Sequence, residues 1–183
     1  MKKLVSFAIV AISISISSFA QDTKMVGGAA MYPTKNIVEN AVNSKDHTTL
    51  VAAVKAADLV DVLSSAGPFT VFAPTNEAFN MLPKGTVDNL LVVDNKAKLQ
   101  GILKYHVVAG KISSGDLKKL IKDNNGKATL KTVEGENLYA SLDKKGMVWI
   151  WDENGGKAMV TIADVNQSNG VIHVVDHVLL PKM

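Results

Sequence analysis

The sequence predicts an α+β fold, in which a mainly helical first half is followed by a run of β-strands. Before Gly126, apolar residues recur at intervals of three and four, as Leu50, Val51 and Val54 do, which is typical of helices packed on a core. After Gly126, β-branched segments alternate with short turns rich in glycine, asparagine and lysine. Because helices and strands are segregated along the chain, the pattern indicates α+β rather than a doubly wound sheet.

The helices are predicted from apolar spacing and from capping residues. Asp46 is expected to cap the second helix, and Thr75 or Asn76 is expected to cap a short helix that follows Pro74. The Gly-Pro pair at 67–68 ends the early helical region. The predicted helical ranges are 36–43, 46–63, 76–82, 87–92, 96–104 and 116–122.

The strands are predicted from runs of β-branched and aromatic residues bounded by turn signals. An early strand spans 69–73, and 105–108 is expected to be extended. Gly170 is expected to supply a positive-φ turn before the last strand. The later strands are predicted at 128–133, 137–142, 147–151, 157–165 and 171–180.

The first 20 residues have the form of a secretory signal peptide. Two lysines precede an apolar run from Leu4 to Ile16, and small residues follow up to Ala20. The run is shorter than the roughly 20 residues that a spanning helix needs, so we expect removal after Ala20 and no later membrane segment. Residues 21–35 are then a flexible N-terminal segment, and residues 36–183 form one domain of an exported protein, periplasmic or extracellular.

Composition excludes several classes of site. The chain has no cysteine, which excludes disulfides, thiolate metal sites, a cysteine nucleophile and a lipid-anchor cysteine. All 20 basic residues are lysine, so bidentate arginine clamps are excluded too. Signal removal leaves 18 lysines against 17 acidic residues, which is too small an excess for a nucleic-acid interface. We expect no cofactor and no bound metal.

Two histidines near the C-terminus are candidates for a metal site or a hydrolase site. His173, Asp176 and His177 lie in a β-branched run that reads as a strand. At about 3.3 Å per residue the two imidazoles start about 13 Å apart, too far to share an ion, and Asp176 points to the opposite face. No G-x-S-x-G elbow accompanies them. A hydrolase with a cryptic His/Asp pair is therefore the weakest alternative.

Trp149 and Trp151 are the only tryptophans, and they alternate along a predicted strand. Alternate residues project from the same face, so both indoles lie side by side with Met147. Among polar neighbours they form an exposed platform for a partner or a carbohydrate, or else they cover one end of the core. The sequence leaves both interpretations open.

Three stretches resemble the signatures of the fasciclin domain family, and they occur in the same order as in that family. Gly67 to Phe79 (GPFTVFAPTNEAF) resembles its first signature, Leu103 to Val108 (LKYHVV) its central Tyr-His element, and Ile162 to Pro181 its second signature. The similarity covers about residues 36–181. It implies a small β-sandwich or wedge bordered by several short helices, in extracellular or cell-surface modules that generally have no catalytic activity.

The resemblance also implies site residues. In animal members the Tyr-His element and an Asp-Ile pair are linked to integrin binding, and the matching positions are Tyr105–His106 and Asp164–Val165, with valine in place of isoleucine. His106 is also interpreted as a buried hydrogen-bonding centre. The other signature residues are expected to be structural: Phe72, Pro74, Thr75, Asn76, Phe79, Asn169, Gly170 and His173.

These observations favour an exported, non-enzymatic module for cell adhesion or protein interaction, with a protein or polysaccharide partner at the cell surface or in a matrix. The alternative is an envelope protein that binds a small ligand or a polysaccharide. Its site is either a cleft between helices and strands or the face that carries Trp149 and Trp151.

Overall fold

The computed structural model describes residues 23–182, so the predicted signal peptide at 1–20 lies outside the described residues. The helices are α1 (Ile37–Ala41), α2 (Thr48–Ala56), α3 (Val60–Ser64), α4 (Asn76–Asn80), α5 (Thr86–Leu90), α6 (Lys96–Tyr105) and α7 (Ser114–Asp123). The strands are β1 (Lys24–Val26), β2 (Ala29–Met31), β3 (Phe69–Pro74), β4 (Val107–Ala109), β5 (Lys127–Lys131), β6 (Asn137–Leu142), β7 (Val148–Trp151), β8 (Lys157–Gln167) and β9 (Gly170–Val175).

Seven strands form one sheet in the order β4-β3-β9-β8-β7-β6-β5. β3 and β9 are parallel, and the other neighbouring strands pair antiparallel. The two edge strands, β4 and β5, lie close to each other at one end. Val108 forms a β-bridge with Thr132, and the Val133 N–H donates to the Val107 carbonyl at 2.7 Å. The result is a wedge that nearly closes into a barrel. The predicted α+β class is confirmed.

The central strands are buried on both faces, which divides the interior into two cores. Val71 and Ile172 project into a core that is completed by helices α1, α2 and α6. Phe72 and Val175, on the opposite faces of the same strands, project into a second core. Helix α7 covers that second core from the other side through Leu117 and Ile121, packed against β5 and β6.

The predicted flexible segment at 21–35 is wrong from residue 24 onward. β1 and β2 form a hairpin in which Gly27 and Gly28 both have positive φ, as a primed two-residue turn requires. Val26 and Met31 are each only 1% exposed and belong to the core that helices α1, α2 and α6 complete. The Gly-Gly pair therefore marks a tight turn rather than a mobile linker.

Several element boundaries differ from the prediction, and three of the differences concern residues singled out in the sequence. Tyr105 is the last residue of α6 instead of extended chain. β9 ends at Val175, so His177 lies beyond the strand. Asp46 lies in a single turn of 3-10 helix that precedes α2, and it does not cap that helix.

The residues of the first signature make internal contacts at the end of β3 and the start of α4. Phe72 and Phe79 are buried, and Pro74 ends β3. The Thr75 hydroxyl caps α4 by accepting from the Ala78 N–H at 3.2 Å. The Asn76 amide links α4 to the start of α2: it accepts from the Thr49 N–H at 2.9 Å and donates to the Lys45 carbonyl at 2.8 Å.

Candidate functional site

The Tyr-His element lies inside the protein. Tyr105 is 0% exposed, and its hydroxyl donates to the Asn137 carbonyl at 2.8 Å and accepts from the Glu153 N–H at 3.3 Å. Burial raises the pKa of this hydroxyl to about 12. Tyr105 thus joins the end of α6 to the outer strands, and a partner that meets the folded surface does not reach it.

His106 is a buried hydrogen-bonding centre. Its Nδ1 donates to the Ile102 carbonyl at 2.8 Å, and its Nε2 accepts from the Leu179 N–H at 3.0 Å. This pairing fixes one neutral tautomer, and burial lowers the pKa of the imidazole to about 4. His106 therefore holds the C-terminal segment against α6.

The Asp164–Val165 pair also makes internal contacts. Val165 is fully buried, and Asp164 sits at an irregularity of β8 with φ +56°. The Asp164 carboxylate accepts from the backbone N–H of Ser114 at 2.7 Å and from its hydroxyl, at the first turn of α7. Although partial burial opposes it, hydrogen bonding from Ser114 keeps the pKa of Asp164 below its ordinary value.

The residues of the predicted His/Asp alternative, His173, Asp176 and His177, are not brought together in one site. His173 is buried, its Nδ1 accepts from the Asp164 N–H at 3.3 Å, and its Nε2 donates to the Ile112 carbonyl at 2.9 Å. The Ser114 hydroxyl bonds to Asp164 and not to a histidine. His177 is exposed beside Asp176. Within residues 23–182, no three acidic or histidine side chains are grouped to hold a metal ion.

Asn169 and Gly170 fix the turn before the last strand. The Asn169 amide accepts from the Ile37 N–H at 3.0 Å and donates to the Leu63 carbonyl at 2.8 Å, so it ties together α1 and α3. A Cβ on Gly170 would lie 2.0 Å from the Phe69 carbonyl oxygen. The expected positive φ is wrong, because Gly170 is not among the positive-φ residues. The glycine is required by close approach of β3.

The outer face of strands β5–β8 carries the aromatic residues. On this face Tyr139 lies opposite Trp151, and Trp151 lies opposite Lys157. Trp149 occupies the next row. The three rings are partly exposed, whereas Ile150, on the inner face, is fully buried. The prediction that the two tryptophans share one face is confirmed, but Met147 precedes the strand.

Two lysines lie over these rings. The Lys157 ammonium is 4.9 Å from the ring centre of Trp149 and 5.4 Å from that of Trp151. The Lys127 ammonium is 4.0 Å from the ring centre of Tyr139. Both lysines and Tyr139 were missed from the sequence. The signal that reveals them is the hairpin register, which places residues of different strands in one row.

The face continues into a shallow, open groove of about 690 Å³. It is lined by Lys127, Tyr139, Ser141, Trp151, Glu153 and Lys182, among others. The cleft between helices and sheet, the other place expected for a ligand, holds only about 50 Å³ and is lined almost wholly by apolar side chains. Ligand sites usually enclose about 300–1,000 Å³, so the outer face is the better candidate.

No helix within residues 23–182 is both long and apolar enough to cross a membrane.

Comparisons with known proteins agree with the sequence resemblance. The family model described as Fasciclin domain matches residues 45–181. The chain is 47% identical to Protein sll1483 of Synechocystis sp. (strain ATCC 27184 / PCC 6803 / Kazusa), over 89% of this chain and 83% of that protein. It is 36% identical to transforming growth factor-beta-induced protein ig-h3 of Sus scrofa, over 81% of this chain but only 20% of that protein.

A solved structure has the same fold. It is a FAS1 domain pair from the insect cell adhesion molecule Fasciclin I, with a TM-score of 0.70 and 21% identity. The match covers 80% of this chain and 51% of that one, so the chain corresponds to about half of the solved pair. Together with the two signatures and the buried Tyr-His element, the family match over most of the chain establishes that this protein belongs to the fasciclin domain family.

Proposed function

We propose that the protein is an exported, non-enzymatic interaction module of the fasciclin type, which attaches to a component of the cell surface or matrix. Its contact surface is the outer face of β5–β8, with Tyr139, Trp149 and Trp151. The observation that carries the proposal is the contrast in exposure. These three rings are partly exposed, whereas Tyr105 and His106 are committed to internal hydrogen bonds.

The relatives support a role in adhesion. Fasciclin I is described as a cell adhesion molecule, and the family match extends over residues 45–181 of this chain. The predicted signal peptide at 1–20 supports export to the periplasm or the extracellular space. The internal use of both His173 nitrogens supports a non-enzymatic role.

A polysaccharide or a small ligand is the second candidate partner, and the open groove beside Trp151 favours it. Aromatic side chains are suited to either partner because they present a large apolar surface with one polar end. Both candidates place contact on the same face, so one surface experiment tests the shared part of the proposal.

The test is retention of the purified protein on isolated envelope or matrix material, measured by sedimentation. Trp151→Ala is expected to weaken retention about 30-fold, as truncation of a central aromatic contact does. The matched control is Val93→Ala, because Val93 is an apolar side chain 83% exposed elsewhere on the molecule. Wild-type protein that is not retained, or equal loss in both variants, would contradict the proposal.

A further inference from the structure

We infer that the partner bound by the outer face is an acidic polysaccharide, a polymer of uronic acids. This inference rests on the proposed function and specifies the chemistry of the partner. It depends on three features of the face: the orientation of the rings, the unpaired ammonium groups and the open shape of the surface.

The indole of Trp151 lies along the sheet instead of standing away from it. Its Nε1 donates to the Ser141 hydroxyl at 2.8 Å, and Ser141 belongs to the neighbouring strand, one row further along the same face. Trp149 is held in a similar way, since its Nε1 donates to the Asp143 carboxylate at 3.4 Å. The indole nitrogens are thus held by the protein, while the Lys157 ammonium lies over both rings, so ring faces that meet a mobile polar group are the surfaces a sugar ring can take.

Two ammonium groups of this face have no carboxylate partner within the described residues. Within residues 23–182 the ion pairs are Lys96 with Asp58 and His177 with Asp176, so neither Lys127 nor Lys157 has a carboxylate partner. Their ammonium groups rest on aromatic rings instead. A lysine side chain is flexible, so each ammonium can turn from its ring to an incoming carboxylate while the sugar takes its place.

The acidic side chains nearby are occupied by backbone amides. Asp143 accepts from the N–H groups of Lys145 and Met147 at 2.8 and 2.9 Å. Asp152 accepts from the N–H of Gly156 at 2.7 Å, and Glu153 accepts from that of Asn137 at 3.1 Å. These carboxylates keep their charge but hold backbone groups of the outer strands and their turns, and none of them lies within ion-pair distance of Lys127 or Lys157. Two ammonium groups without a carboxylate partner, both lying over aromatic rings, therefore favour a partner that carries carboxylates at intervals.

The shape of the face favours a carbohydrate polymer over an acidic protein. Four strands about 4.8 Å apart give a surface about 14 Å wide, which accommodates a stretch of polymer. Protein partners usually insert anchor side chains into well-packed pockets. The groove beside Trp151 is open, and the rings of Tyr139 and Trp151 line it.

The experiment titrates the purified protein with polygalacturonate and follows tryptophan fluorescence and heat. Carboxyl-reduced polygalacturonate, which keeps the sugar rings and loses the charge, is the matched ligand, and poly-glutamate represents an acidic peptide. We expect the polyuronate to bind at least ten-fold tighter than either of them. Equal binding of the reduced polymer, or tighter binding of poly-glutamate, would overturn the inference.

The variants test the two ammonium groups. A surface ion pair contributes at most about five-fold, so the double substitution Lys127→Gln/Lys157→Gln is expected to weaken binding about ten-fold. The control is Lys118→Gln/Lys119→Gln, which removes the same charge from exposed positions of α7. Equal weakening by both pairs would show nonspecific charge attraction and would overturn the inference.

The failures of the two proposals are distinguishable. Protein that is retained on envelope or matrix material through Trp151 but does not bind polygalacturonate disproves the polyuronate and leaves the interaction module standing. Protein that binds neither disproves both. An unchanged unfolding temperature in the lysine variants ensures that lost binding reports on the face and not on folding.

Discussion

The central strands β3 and β9 and the outer strands β5–β8 belong to one sheet but use their polar residues differently. In and beside the central strands, His106 and His173 use both ring nitrogens in internal hydrogen bonds. Tyr105 uses its hydroxyl in the same way. On the outer strands, Lys127 and Lys157 point to solvent over aromatic rings. The difference teaches that the signature residues are used to build the fold, and it is the reason that the proposed contact surface lies on residues outside the signatures.

The largest effect is expected in the centre, from Phe72→Ala. Phe72 is 0% exposed and stacks on His173 with ring centres 5.7 Å apart. Truncation of a buried phenylalanine destabilises by about 3–5 kcal/mol, because it leaves a cavity as well as losing burial. Urea unfolding measures the change. Phe72→Leu, which keeps most of the volume, should lose clearly less, and equal losses would show that the site is not tightly packed.

The second largest effect is expected from acid, which destabilises the fold through the buried histidines. Burial lowers the pKa of His106 to about 4, and it also lowers those of His47 and His173. As pH falls below 6.5, these histidines become protonated in the unfolded chain but stay neutral in the folded protein. Their contribution to stability is therefore fully present above pH 6.5 and is lost as pH falls towards 4. His106 alone accounts for about 3 kcal/mol over this window.

Stability measured by urea unfolding at several pH values tests the origin of this loss. His106→Leu removes the titrating group, so the slope between pH 6.5 and about 5 should become shallower even though the variant is less stable at pH 7. The control Val93→Ala alters an exposed side chain that does not titrate and should keep the wild-type slope. Carboxylates with lowered pKa values, such as Asp164, begin to contribute below about pH 5, so the histidine effect is measured between pH 6.5 and about 5.

The smallest effect on stability is expected at the outer face, from Trp151→Ala. The indole is partly exposed, and its loss removes one hydrogen bond and one cation–π contact, about 1–2 kcal/mol together. Urea unfolding beside Phe72→Ala provides the direct comparison. A loss as large as that of Phe72→Ala would mean that Trp151 is a core residue, and the contrast between the two regions would fail.

The sequence is sufficient to predict the α+β class, the strands after Gly126 and the shared face of Trp149 and Trp151, because alternation and turn residues are local signals. It does not predict the hairpin at 24–31, since a Gly-Gly pair is compatible with both a tight turn and a linker. It also misses Tyr139 and Lys157, because their positions beside Trp151 depend on pairing between strands. The role of Gly170 depends on β3, about 100 residues earlier in the chain, so no local pattern reveals it.

The position of β9 has a consequence for biosynthesis. β9 is the last strand in chain order, yet it lies between β3 and β8 in the middle of the sheet. During synthesis from the N-terminus, β3 is therefore made long before its parallel neighbour exists. Contacts between distant parts of the chain form slowly, because loop closure precedes the gain from pairing. The sheet cannot be completed until Val175 has been synthesised, so the growing chain stays without its finished sheet for more than 100 residues after β3 has been made.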